Sequence, residues 1–165
     1  MSKINNKELL TKSMYIFSCC LNNSLMNKET FEKEFGLKTK ICVGSLGFGL
    51  KDNIHYEYGY ENEKELKEKY VKGKGMFDIH FWLEDMEGNI IDLFYYEYLI
   101  LCKINGVKTL FNRVCLLRKK KEMLSRMGIH YLKIKDEKLK KEVSEKVLKT
   151  LCSNIKIFNH YRDML

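Results

Sequence analysis

Asp78-Ile79-His80-Phe81-Trp82-Leu83-Glu84 is followed by Asp85-Met86-Glu87-Gly88-Asn89 and then by Ile90-Ile91-Asp92-Leu93. This stretch restricts the possible folds more than any other. Apolar and aromatic runs on either side of a short Asp/Glu/Gly/Asn segment spell two strands and a tight turn. The first strand carries the chain's only Trp, and a His that precedes an Asp by twelve positions. The turn decides what that spacing means, because residues directly opposite in an antiparallel pair point to the same face. If Asp85-Met86-Glu87 is the loop, Glu84 faces Gly88 and His80 faces Asp92. A two-residue turn at Glu87-Gly88 instead pairs His80 with Tyr95 and sends Asp92 to the opposite face. Trp82 shares the face of His80 in either register, where a flat aromatic walls a site and excludes water. Asp78 and Glu84 share that face too and are second candidates for orienting His80.

The flanking sequence supplies the remaining elements. Leu9, Leu10, Met14 and Phe17 predict a short amphipathic helix over 5–17. After Cys19-Cys20, Leu21, Leu25, Phe31 and Phe35 keep helical spacing as far as Gly36, a natural C-terminal stop. Asn27 and Thr30 are points where this helix can break in two. Lys38 to Leu46 reads as a strand that runs into Gly44-Ser45-Leu46-Gly47-Phe48-Gly49. That glycine cluster lacks the lysine and following helix of a phosphate-binding loop, so it marks a bend or strand irregularity. Residues 51–75 read as an excursion, with alternating Ile54, Tyr56, Tyr58 and Tyr60 and then a charged helix from Glu61 to Tyr70. Phe94 to Ile104 fits either a strand or a buried helix. A helix is expected from Thr109 to Met127, closed by Gly128, then a strand over 129–134. Asp136 caps a last helix with Leu139, Val143, Val147 and Leu151 on one face.

At 165 residues with 45% apolar side chains, the chain is expected to form a single domain over 1–165 that needs no disulfide or metal to hold its core. No apolar run reaches membrane-spanning length and no secretory signal pattern opens the chain. A reducing cytoplasm with free thiols is therefore the expectation for its six cysteines, none of which lies in a Cys-x-x-Cys pair. No His/Asp/Glu set has metal-ligand spacing, and no cofactor motif stands out. The net charge of +8 attracts polyanions. Basic and acidic residues are interspersed, however, which favours solvated helix faces. The run Arg118-Lys119-Lys120-Lys121, expected inside a helix, is the first place to look for anion contacts.

The chemistry available is that of a thiol. A helix N-terminus favours thiolate, and Cys19 and Cys20 stand where a helix starts. A His within hydrogen-bond reach pairs with the thiolate and protonates a leaving group. A carboxylate holds that imidazole in the right tautomer. His80 and Asp92 offer both roles from neighbouring strands.

These residues resemble the transglutaminase-like superfamily of papain-fold thiol enzymes, and most of all its small bacterial members, including the leader peptidases that process lasso peptides. The likeness lies in Cys20-Leu21-Asn22-Asn23-Ser24-Leu25, in Gly36-Leu37 at the helix end, in His80-Phe81-Trp82-Leu83-Glu84, and in Asp92. It covers residues 14–95, with 51–75 as an insertion, and leaves 96–165 as a C-terminal α/β extension. Phe81 stands where the family usually has a small residue, and Leu93 where a proline or small residue often follows the Asp.

The resemblance implies an α+β papain-like fold, N-terminal helices packed on an antiparallel sheet. It implies Cys20 as nucleophile, His80 as general base and acid, and Asp92 as the residue that orients it. The backbone N–H of Cys20 then belongs to an oxyanion hole. Cys19 beside the nucleophile and Trp82 beside the histidine are the candidate substrate contacts, and the expected substrate is a peptide or protein amide. Two other functions fit the composition: a catalytically silent binding module of the same fold, and a small basic nucleic-acid-binding protein.

Overall fold

The computed structural model describes residues 20–50, 53–60, 62–71, 79–94, 115–151 and 155–163. The helix expected over 5–17, Cys19, Asp78 and the apolar run 95–104 lie outside the described residues.

In chain order the elements are α1 (Cys20–Phe35), β1 (Thr39–Phe48), β2 (His55–Tyr58), α2 (Glu63–Val71), β3 (His80–Asp85) and β4 (Asn89–Phe94). After these come β5 (Cys115–Lys120), α3 (Lys121–Arg126), β6 (Ile129–Lys133), α4 (Glu137–Leu151) and α5 (Ile155–Arg162). The chain is α+β. Its strands form one sheet in the order β2-β1-β3-β4-β5, with β6 also paired to β1. Every pairing among the described strands is antiparallel.

Strand alternation divides the core between the two faces of this sheet. Ile41, Val43, Phe81, Leu83 and Ile91 pack with Leu21, Leu25 and Phe31 of α1 and with Leu139, Val143 and Leu148 of α4. The intervening residues Cys42, Trp82 and Ile90 join Leu46 and Phe48, and meet Leu124 of α3 and Ile129 and Tyr131 of β6. The helix α1 runs unbroken through the two residues expected to interrupt it. Asn27 donates its side-chain amide to the Asn23 carbonyl at 2.7 Å, and Thr30 its hydroxyl to the Met26 carbonyl at 3.0 Å. Their polar atoms are thus satisfied within the helix rather than at a cap. Asp136 caps α4 as expected, accepting from the Leu139 N–H at 3.1 Å. The short helix α5 is an element that the apolar pattern did not announce.

The glycine cluster behaves as a strand irregularity: β1 shifts register between Leu46 and Gly47. Gly44 has a separate reason to be glycine. It pairs with His80 of β3 and with Lys133 of β6, and a Cβ there would lie 1.9 Å from the Leu132 carbonyl oxygen. Part of the segment expected as an excursion is built into the sheet. Its strand β2 pairs with β1, its Tyr60 is buried, and the Ser45 hydroxyl bonds both the N–H and the carbonyl of Tyr60 at 2.7 Å.

The expected helix over 109–127 is corrected by the structure. Residues 109–114 lie outside the described residues, 115–120 are strand, and only 121–126 are helical. Local spacing did not distinguish the two forms; the free edge of β4 did. Six consecutive pairs, from Asn89↔Lys120 to Phe94↔Cys115, satisfy that edge. The basic run therefore straddles a strand end and a helix start instead of lining a helix face. Among the described residues no helix is long and apolar enough to cross a membrane.

Candidate functional site

The hairpin register follows neither of the two expected counts, although it keeps the consequence of the first. The observed pairs are Leu83↔Ile91 and Glu84↔Ile90. Continuing them outward leaves Met86, Glu87 and Gly88 as the loop, one residue later than Asp85–Glu87. A three-residue loop still puts His80 and Asp92 on one face, but Trp82 now stands opposite Asp92 and His80 is its diagonal neighbour. The cause is Asp85. Its carboxylate is buried and accepts the N–H groups of Glu87 at 3.0 Å and Asn89 at 2.8 Å, which holds the turn from inside the strand. Gly88 closes the loop at φ 75°, the left-handed position typical of three-residue hairpins.

A diagonal pair is within reach only of side chains long enough to span it, and the outer ring nitrogen of His80 does so. Nε2 lies 2.5 Å from Asp92 Oδ2. Both residues are 7% exposed. Tyr131 of β6 donates its hydroxyl to the same Oδ2 at 2.8 Å. The indole of Trp82 stacks near the imidazole, with centroids 6.1 Å apart and planes 18° from parallel. Tyr131 meets that indole edge-on at 5.0 Å. Trp82 is only 1% exposed, and its indole N–H has no partner among the described residues, so it acts on the imidazole by packing.

Cys20 is the first residue of α1 and is half-buried. Its Sγ lies 3.7 Å from the carbonyl oxygen of Ile79, immediately before His80. The helix packs on the Phe81/Leu83 side of the sheet, whereas His80 belongs to the Trp82 side. The two meet because His80 is the first residue of β3, where the strand enters the sheet.

Burial opposes charge on the imidazole. The charge and hydrogen bond of Asp92, and then the hydrogen bond and charge of Cys20, outweigh it and push the His80 pKa from 6.5 up to about 10. His80 is therefore a charged imidazolium at neutral pH, held between a carboxylate and a sulfur. Nε2 is committed to Asp92, and Cys20 bears on the same imidazole. Cys42, the other described free cysteine, is buried on the Trp82 face, away from α1; burial first, then the charge of Glu84, push its thiol up to about 12.

Cys20, His80, Asp92 and Trp82 are thus brought together, while Cys19 lies outside the described residues. Glu84 is drawn away from His80 by Lys40 at 2.9 Å and Lys133 at 3.1 Å. His130 is bonded to the Gly49 carbonyl at 2.9 Å, and His160 pairs with Glu29 at the surface. Of the basic run, Arg118 is bound to Asp85 at 3.0 Å and Lys120 to the Glu87 carbonyl, so both brace the hairpin. No group of three His, Cys, Asp or Glu side chains suited to a metal occurs among the described residues.

Tyr131 is the site residue that sequence reasoning missed. The available signal was weak but physical: Ile129 and Tyr131 are the inward positions of a short strand, and a buried tyrosine hydroxyl requires a partner. Compared with protein-family models, with curated proteins and with solved structures, the chain matches none.

Proposed function

We propose that this protein is a thiol enzyme acting on a peptide or protein amide, with Cys20, His80 and Asp92 as its triad in a papain- or transglutaminase-like arrangement. The observation that carries this reading is the 2.5 Å contact from His80 Nε2 to Asp92, made where α1 begins with Cys20. In the proposed reaction the Cys20 thiolate attacks the amide carbonyl. The positive end of α1 favours negative charge at that point. His80 delivers its Nδ1 proton to the departing amine, leaving a thioester on Cys20 and a neutral imidazole. That imidazole then takes a proton from water or from an acceptor amine, which attacks the thioester and expels the Cys20 thiolate, restoring the starting pair. Asp92 stays ionised throughout and keeps Nε2 protonated. Burial of the His80–Asp92 pair supports the reading, because a screened surface pair would impose little orientation.

Iodoacetamide labelling at pH 6, mapped by mass spectrometry, tests this directly. A free thiol with the ordinary pKa of about 8.5 is almost wholly protonated there. Cys20 should label at least about tenfold faster than Cys42, and His80→Ala should remove most of that advantage. Equal labelling of the thiols, unchanged by loss of His80, would remove the triad. Rapid His80-dependent labelling without turnover of any peptide amide would instead leave a binding module that retains an activated thiol.

A further inference from the structure

We infer that Tyr131 is a positioning residue of this site, its phenol hydroxyl anchoring the Asp92 carboxylate that fixes the tautomer of His80. The consequence for catalysis rests on the thiol reading above. Two donors converge on one carboxylate oxygen, His80 Nε2 at 2.5 Å and the Tyr131 hydroxyl at 2.8 Å. A carboxylate oxygen is an acceptor only, so taking both donors fixes its place between the imidazole and the phenol. An ionised Asp92 cannot donate to the ring. The proton between them therefore stays on Nε2, and Nδ1 is left for the sulfur. Tyr131 also shares the charge of Asp92, which moderates how tightly that carboxylate holds the imidazolium. A proton held too tightly on His80 is a poor one to give to a leaving amine.

The placement of Tyr131 suits this role. It is 2% exposed, it lies edge-on to Trp82, and its ring centroid is 6.1 Å from that of His80. Among the described residues, the groups bearing on the imidazole include Asp92 from β4, Cys20 from α1, Tyr131 from β6 and Trp82 from its own strand. Glu84, on the same strand face, is neutralised by Lys40 and Lys133.

The test compares the native protein with Tyr131→Phe and with site-specific 3-fluorotyrosine at position 131. The first removes only the hydroxyl from a packed ring, and the second keeps it as a stronger donor. Two readouts are taken on each: the NMR titration of the His80 ring nitrogens, and the pH profile of Cys20 alkylation. In the phenylalanine variant the carboxylate regains its undivided charge. The His80 titration and the alkaline limb should then both rise, by roughly half a pH unit. In the fluorotyrosine protein both should fall. Loss of packing alone predicts no opposite shifts. Titrations that superimpose on the native curve, or that move together in one direction, overturn the inference. If the phenylalanine variant does not fold, the downward shift with fluorotyrosine decides alone. If the His80 titration moves as expected while Cys20 shows no His80-dependent reactivity, the thiol reading fails and with it the catalytic role of Tyr131. If Cys20 is reactive and the titrations stay put, the thiol reading survives and the inference fails.

Discussion

At the scale of single residues, His80 and Asp92 couple the site to the stability of the protein. The folded pKa of His80 lies above its ordinary value, so the folded state binds the proton more tightly than the unfolded chain does. That stabilisation is complete below pH 6.5 and is lost as the pH rises through about 10. Urea midpoints should therefore fall between pH 6 and pH 10 in the native protein. Asp92→Asn should flatten this dependence and cost about 3 kcal/mol at pH 6, because it leaves a buried imidazole without its counter-charge. An unchanged slope in the variant would show that the pair does not control the titration. Much of this level was legible beforehand. The order of a helix-start cysteine, a strand histidine and a partner-strand aspartate follows from local periodicity. Tyr131 was not legible, because it lies 39 residues beyond Asp92 and only the pairing of β6 with β1 brings it there.

At the scale of elements, the hairpin depends on Asp85. Burial pushes its carboxyl up, yet the hydrogen bonds from Asn89 and then Arg118 hold it below the ordinary 3.8. Its contribution is therefore present above pH 3.8 and disappears as the pH falls through the lowered value. Asp85→Ala should cost about 3 kcal/mol at neutral pH by stranding Arg118, and should reduce Cys20 labelling by loosening the register that pairs His80 with Asp92. A variant that loses stability but labels at the native rate would separate the turn from the site. Gly44→Ala tests the other side of β3. Its Cβ would meet the Leu132 carbonyl at 1.9 Å, so β1 must move relative to β6. A cost of about 1–3 kcal/mol is expected from denaturant unfolding. The sequence revealed that a hairpin existed and that its loop was short. It did not reveal a one-residue displacement of that loop, which follows from Asp85 turning its carboxylate inward to the N–H groups of Glu87 and Asn89. The strand at 115–120 escaped for a similar reason, since six residues ending in a basic run take their conformation from the edge they pair with.

At the scale of the whole molecule, both faces of one sheet support the site. Cys20 stands on a helix packed against Phe81, Leu83 and Ile91, while Trp82 and Tyr131 belong to the core under α3. Leu124→Ala, wholly on the α3 side, should lower unfolding stability by about 2–5 kcal/mol. It should also weaken the bond between Tyr131 and Asp92, a change visible in the His80 ring titration. If stability drops and the titration does not move, the two faces are energetically separate. Periodicity announced helices and strands, and the α+β class with helices layered on an antiparallel sheet was expected from the family resemblance. The way the C-terminal residues enter that same sheet was not, because strand pairing is chosen by edges far apart in sequence. The place of β6 has a further consequence, for synthesis. A ribosome releases Cys20, His80 and Asp92 long before Ile129 to Lys133, so a nascent chain ending ahead of β6 holds all three residues of the proposed triad but not the strand that carries Tyr131. Among the described residues β6 is the strand that pairs with the last part of β1 on that side. The thiol therefore acquires its completed surroundings only after β6 has been made, and chains stalled before residue 129 should accumulate without native-like Cys20 reactivity.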